Sequence, residues 1–146
     1  MSEKIKATMI LEMIGRPPEH MVKVLNEIID KMNDEKKVEV YERKVKEPTL
    51  LKDQKDLYSA FAEIEVEVEE IMYLIMLVFK YKPSHVEVLS PEFIKLQNND
   101  LGEVLSEITR KIHIADSTIQ AVQIQNQQMV KKVKEFMEKK KSEEKV

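Results

Sequence analysis

Residues 58–81, YSAFAEIEVEVEEIMYLIMLVFKY, decide the fold, because the hydrophobic period changes within them. Ala60, Ala62, Ile64, Val66 and Val68 fall on one parity, and Phe61, Glu63, Glu65, Glu67 and Glu69 on the other. Successive side chains of a strand point to opposite faces, so this stretch reads as a half-buried strand with one dry and one acidic side. From Ile71 to Tyr81 the alternation is lost and the chain is apolar almost all round. That pattern predicts a short buried helix, ended by Lys82-Pro83 because the residue before proline is driven out of the helical region. Its apolar run, Ile71 to Phe79, is nine residues long. A bilayer needs about 20, so no membrane span is read.

Working outward from this pair, the same two signals recur. On the N-terminal side, Ile5, Ala7, Met9, Leu11 and Met13 alternate with Lys6, Thr8 and Glu12, a first strand that Gly15 ends. This alternation also lacks the continuous apolar stretch of a signal peptide. Arg16-Pro17-Pro18-Glu19 then opens a helix, since proline is tolerated where N–H groups are unpaired. Met21, Val24, Leu25, Ile28, Ile29 and Met32 carry that helix at helical spacing to about Asn33. Lys37 to Lys46 reads as a second strand whose alternation fails near Tyr41, which suggests a bulge. Residues 47–57, with Pro48, form a connection, and His85 to Leu89 is a fourth strand stopped by Ser90-Pro91. The order is strand, helix, strand, strand, helix, strand. The expected fold is therefore α+β: a ferredoxin-like βαββαβ sandwich over residues 1–97.

A long helix is expected over 98–141, with a frayed charged tail at 142–146. Asn98-Asn99-Asp100 can cap it, and beyond Gly102 there is neither glycine nor proline. From Leu101, alternating steps of four and three residues reach Leu105, Ile108, Ile112, Ala115, Ile119, Val122, Asn126, Met129, Val133 and Phe136, and ten of these eleven positions are apolar. A 3.5-residue repeat sustained over five heptads is what a left-handed coiled coil requires, and it would extend roughly 54 Å at ~1.5 Å per residue. The a positions are Leu105, Ile112, Ile119, Asn126 and Val133. β-Branched residues with one asparagine at a are the composition of a parallel two-stranded coil, in which paired amides fix the register. Val130 and Met137, at e, widen the stripe. The competing reading is an ordinary amphipathic helix folded back over its own sheet, with a break at Ala115-Asp116-Ser117, where Asp or Ser caps a second helix.

These features set the expected function. With no cysteine there is no disulfide framework, thiolate metal site or cysteine nucleophile, and a reducing, cytoplasmic setting fits. The net charge of −3 gives no field aimed at nucleic acid or an anionic membrane. Phosphates would also be repelled by the glutamates of the third strand. His20, His85 and His113 have no second ligand at a metal spacing. Arg16, Glu19 and His20 gather at a helix start, a weak surface-site candidate since Pro17 and Pro18 remove anion-binding donors. Residues 131–146 hold seven lysines and four glutamates, read as a solvated helix end. No catalytic, metal or cofactor residues are assigned. The expectation is a non-enzymatic, homo-oligomeric scaffold or adaptor, a dimer first, with room for a further protein partner. As an alternative, the element order resembles that of ACT-type domains, which implies a regulatory module binding small ligands between subunits. The glycine-rich ligand turn of those domains is missing, as Gly15 and Gly102 are the only glycines.

Overall fold

The computed structural model describes residues 3–145 and divides the chain into two units, Met1–Leu96 and Gln97–Val146. The chain is α+β: an antiparallel five-stranded sheet and three helices, the last long and C-terminal. In chain order the elements are β1 (Ile5–Gly15), α1 (Pro18–Asn33), β2 (Val38–Val45), β3 (Thr49–Leu50), β4 (Tyr58–Val68), α2 (Ile71–Tyr81), β5 (His85–Ser90) and α3 (Asn98–Glu144).

In unit 1 the sheet runs β2-β4-β1-β5, and β3 pairs with β4. The two long alternating strands are therefore its centre. They pair without a register shift from Ile5 opposite Val68 to Gly15 opposite Tyr58. This register sets Ala7 across from Val66, Met9 from Ile64 and Leu11 from Ala62, so the apolar parities of both strands share one face. Met21, Leu25, Ile29 and Met32 of α1, with Leu74 and Leu77 of α2, join that face in one core. Ala7, Ala60, Ala62, Met9, Ile64, Val66, Ile29 and Met32 are fully excluded from solvent. Each large side chain so buried is worth about 1.5–3 kcal/mol.

The edges show local physics. The ladder between β2 and β4 slips between Val40 and Glu42, so Tyr41 is the extra residue of the expected bulge. Beyond the bulge Arg43 falls opposite Ile64, on the parity of the core, and reaches Asp30 of α1 at 2.8 Å instead of entering it. A charge at this place on an edge strand also discourages another strand from pairing there. At the start of α1 the Pro17 carbonyl accepts the His20 and Met21 N–H groups at 3.2 and 3.3 Å. α2 closes on Lys82, whose backbone is left-handed (φ 50°) and whose N–H donates to the Val78 carbonyl at 2.9 Å.

Three expectations need correction. The connection 47–57 contains a strand, β3, whose Thr49 and Leu50 pair with Ser59 and Tyr58. α2 is only half buried: Leu74 and Leu77 are covered but Met76 is 47% exposed, because a helix on a single sheet has only one face to hide. The helical backbone also passes 141 and continues to Glu144, since lysines, glutamates and serine offer no stop signal. Val146, at the end of the expected tail, and residues 1 and 2 lie outside the described residues.

Candidate functional site

Unit 2 is one helix of 47 residues, about 70 Å long. It passes through Asp116 and Ser117 without a break. There the Thr118 hydroxyl donates to the Ile114 carbonyl at 2.9 Å, one turn back in continuous helix. The expected seam therefore lies along a single rod. Leu101, Leu105, Ile112, Ile119, Val122, Met129, Val133 and Phe136 are all between 44% and 66% exposed. Ile108 is half buried, while Ala115 and Asn126 are exposed. Monomeric proteins rarely show a contiguous apolar patch on this scale. Because 3.6 residues per turn drifts by about 20° per heptad against a 3.5 repeat, this stripe winds slowly round a straight helix, and supercoiling would straighten it.

The flanks of the stripe are ordered by charge. Thr109 at e and Thr118 at g turn their hydroxyls back to the Leu105 and Ile114 carbonyls, both at 2.9 Å. Glu107 and Arg110 pair with each other on the far side of the helix, at c and f, with the Arg110 Nε 3.0 Å from Glu107. That hydrogen bond holds the Glu107 carboxyl below its ordinary range and raises Arg110. Toward the C-terminus Lys132 and Lys139 occupy g and Lys134 and Lys141 occupy b, whereas Glu135 and Glu138 lie at c and f. Lys132, Lys134, Lys139 and Lys141 thus lie toward the apolar stripe and Glu135 and Glu138 away from it, while Lys131 at f and Glu144 at e reverse that order. Val130 and Met137, 54% and 56% exposed, widen the stripe at e as the sequence suggests. Ile114 at c and Ile124 at f are also half exposed, outside the seam. The repeat gives no place to these two.

Unit 1 offers less. Arg16, Glu19 and His20 are all exposed around the start of α1. Pro18 has no N–H and the His20 N–H is already used by the Pro17 carbonyl, so little anion-binding capacity remains. The open face of the sheet exposes Phe61 and Ile14 among Glu63, Glu65 and Glu67. It also carries Tyr41, whose ring lies 5.5 Å from the Lys6 ammonium. Burial, then the neighbouring Glu65, Glu67 and Glu42 carboxylates, push the Tyr41 hydroxyl up to about 12.

One polar cluster was invisible to sequence reasoning. Glu35, just past α1, accepts hydrogen bonds from the Lys80 ammonium and, at 2.6 Å, from the Tyr81 hydroxyl of α2. These donors hold the Glu35 carboxyl below its ordinary range, while burial and Glu35 together raise Tyr81. The residues are 45 and 46 positions apart, and no local spacing signals such a clasp. It joins the two helices of the core. Among the described residues there is no group of three or more His, Cys, Asp or Glu side chains able to hold a metal ion. No helix there is long and apolar enough to cross a membrane.

No curated protein and no solved structure matches the chain. One family model does match, over residues 6–145, which takes in nearly all of the sheet unit and the whole of α3, and by it the chain belongs to the MJ0538 family.

Proposed function

We propose that this protein is a non-enzymatic, homo-oligomeric scaffold or adaptor, in which α3 pairs with α3 of another copy and unit 1 presents a binding surface. The observation that carries this reading is the exposure of a heptad seam from Leu101 to Phe136 along an unbroken helix. Nine large apolar residues occupy that seam on each chain. These side chains are already about half covered, so completing their burial is worth half of the ~1.5–3 kcal/mol of a full burial for each. Association costs ~4–15 kcal/mol in lost freedom, and the summed seam burial on two chains is of that size or larger.

Unit 1 is read as a ferredoxin-like sandwich in this proposal. The support is the antiparallel order β2-β4-β1-β5, which two interleaved βαβ halves produce, with β3 as an addition beside β4. A cytoplasmic setting fits a chain without cysteine.

The test is solution mass by light scattering of the full chain beside Ile119→Asp, which places a charge in mid-seam. The reading expects a multiple of 17.2 kDa for the native chain and a loss of that state in the variant. A native chain that stays at 17.2 kDa at every concentration overturns it.

A further inference from the structure

We infer that the occupant of the α3 seam is a second copy of the same helix lying parallel and in register, as a two-stranded pair. This rests on the assembly reading above and adds orientation, register and number. Two independent features of α3 select it.

The first is Asn126, the single polar residue of the seam. In a parallel, in-register pair Asn126 meets Asn126 of the second copy, and the two amides bond to each other. Antiparallel pairing instead sets a against d. The register that overlaps the seam from Leu105 to Phe136 then places Leu105 against Phe136, Ile112 against Met129, Ile119 against Val122 and Asn126 against Ala115. Each Asn126 amide would be buried against a methyl group. A buried amide without a hydrogen-bond partner is destabilising, and the antiparallel pair contains two.

The second is the charge on the flanks. Parallel chains bring each g residue beside the following e residue of the other chain. Lys111 then meets Asp116 of the second copy, twice by symmetry. The remaining g–e pairs, such as Thr118 with Gln123 and Lys132 with Met137, contain no like charges. Lys132 and Gln125 also lay their stems over Met137 and Val130, the two apolar e residues. Antiparallel chains pair g with g, which sets Lys111 against Lys132 twice. Complementary charge and the paired amide thus point to one arrangement.

The consequence is bivalence. A parallel pair starts both copies of α3 at the same end, so two copies of unit 1 issue from one point. A partner carrying two sites meets them at high effective concentration.

Because the chain has no cysteine, introduced ones are the only thiols. The experiment uses the full chain: Met129→Cys alone, and an equal mixture of Ile112→Cys with Met129→Cys, oxidised and mapped by peptide mass, beside the solution mass of the native chain. The expected result is a mass of twice 17.2 kDa, near-complete 129–129 linkage, and no 112–129 linkage in the mixture. In the antiparallel register the two 129 positions lie ~25 Å apart, beyond any disulfide. A dimer showing 112–129 linkage overturns the orientation while leaving assembly standing. A dimer with neither linkage overturns the register, and a mass above two chains overturns the two-stranded pairing. A single-chain mass removes the assembly reading and this inference together.

Discussion

β4 and α3 are written in the same way, as an apolar stripe on a polar background, yet they end in opposite states. In β4 every residue of the stripe, Ala60 to Val68, is within 1% of complete burial. Along α3 the corresponding residues remain about half exposed. The difference lies in what the chain supplies. β4 has β1 beside it in unbroken register and α1 and α2 over its apolar face, all from within unit 1. The seam of α3 runs for some 54 Å, whereas α1 and α2 have only 16 and 11 residues. Periodicity states that a stripe needs a cover; it does not say whether the cover belongs to the same chain.

The largest expected effect is in the covered stripe. Ile64→Ala removes a fully buried side chain between β1 and the helices, and should cost about 2–5 kcal/mol in unfolding of unit 1. Thermal or denaturant melts should show that loss to be independent of protein concentration. Ile119→Ala removes the same side chain from the exposed stripe. Its cost should be ~1–3 kcal/mol per chain, should appear only as weaker association in a dilution series, and should leave the unit 1 transition in place. If Ile119→Ala instead destabilises unit 1, the two regions are not separate in the way described.

Smaller effects sharpen the covered side. Glu35 clasps Lys80 and Tyr81 and has a depressed folded-state pKa, so its contribution is fully present above the ordinary carboxylate range and is lost as the pH falls from there through the lowered folded-state value. Tyr81 is raised, so the same clasp weakens again only above the ordinary tyrosine range. The site is partly exposed, and Glu35→Gln should cost less than ~1 kcal/mol near neutral pH while flattening the acid limb of stability against pH. Lys82→Gly relieves a left-handed residue at the end of α2 and should stabilise unit 1 by a few tenths to about 1 kcal/mol, read as a rise in melting temperature.

What could be read from sequence follows from the same contrast. The two long strands, α1 and the path of α3 all carry a period over ten or more residues, and each was legible; α2 was legible only as a continuous apolar run, which is why its half-exposed face was not. β3 was not, because two residues have no period and Thr49 and Leu50 are held by their partners on β4. The bulge was visible as failed alternation at Tyr41, but the pairing of Arg43 with Asp30 that follows from it was not. The continuity of α3 through Asp116-Ser117 was open, since both residues also cap helices. Of the proposed site, the seam was legible as spacing, whereas the clasp of Glu35, Lys80 and Tyr81 is a purely tertiary meeting.

The central claim is that α3 is ordered by pairing through its seam, and hydrogen exchange tests it directly by comparing the native chain with Ile119→Asp. The account predicts strong amide protection from about residue 105 to 136 in the native chain, a collapse of that protection along the whole stretch in the variant, and unchanged protection of β1 and β4 in both. Protection of α3 that survives the substitution beyond its own turn, or that is absent from the native chain at high concentration, would contradict it.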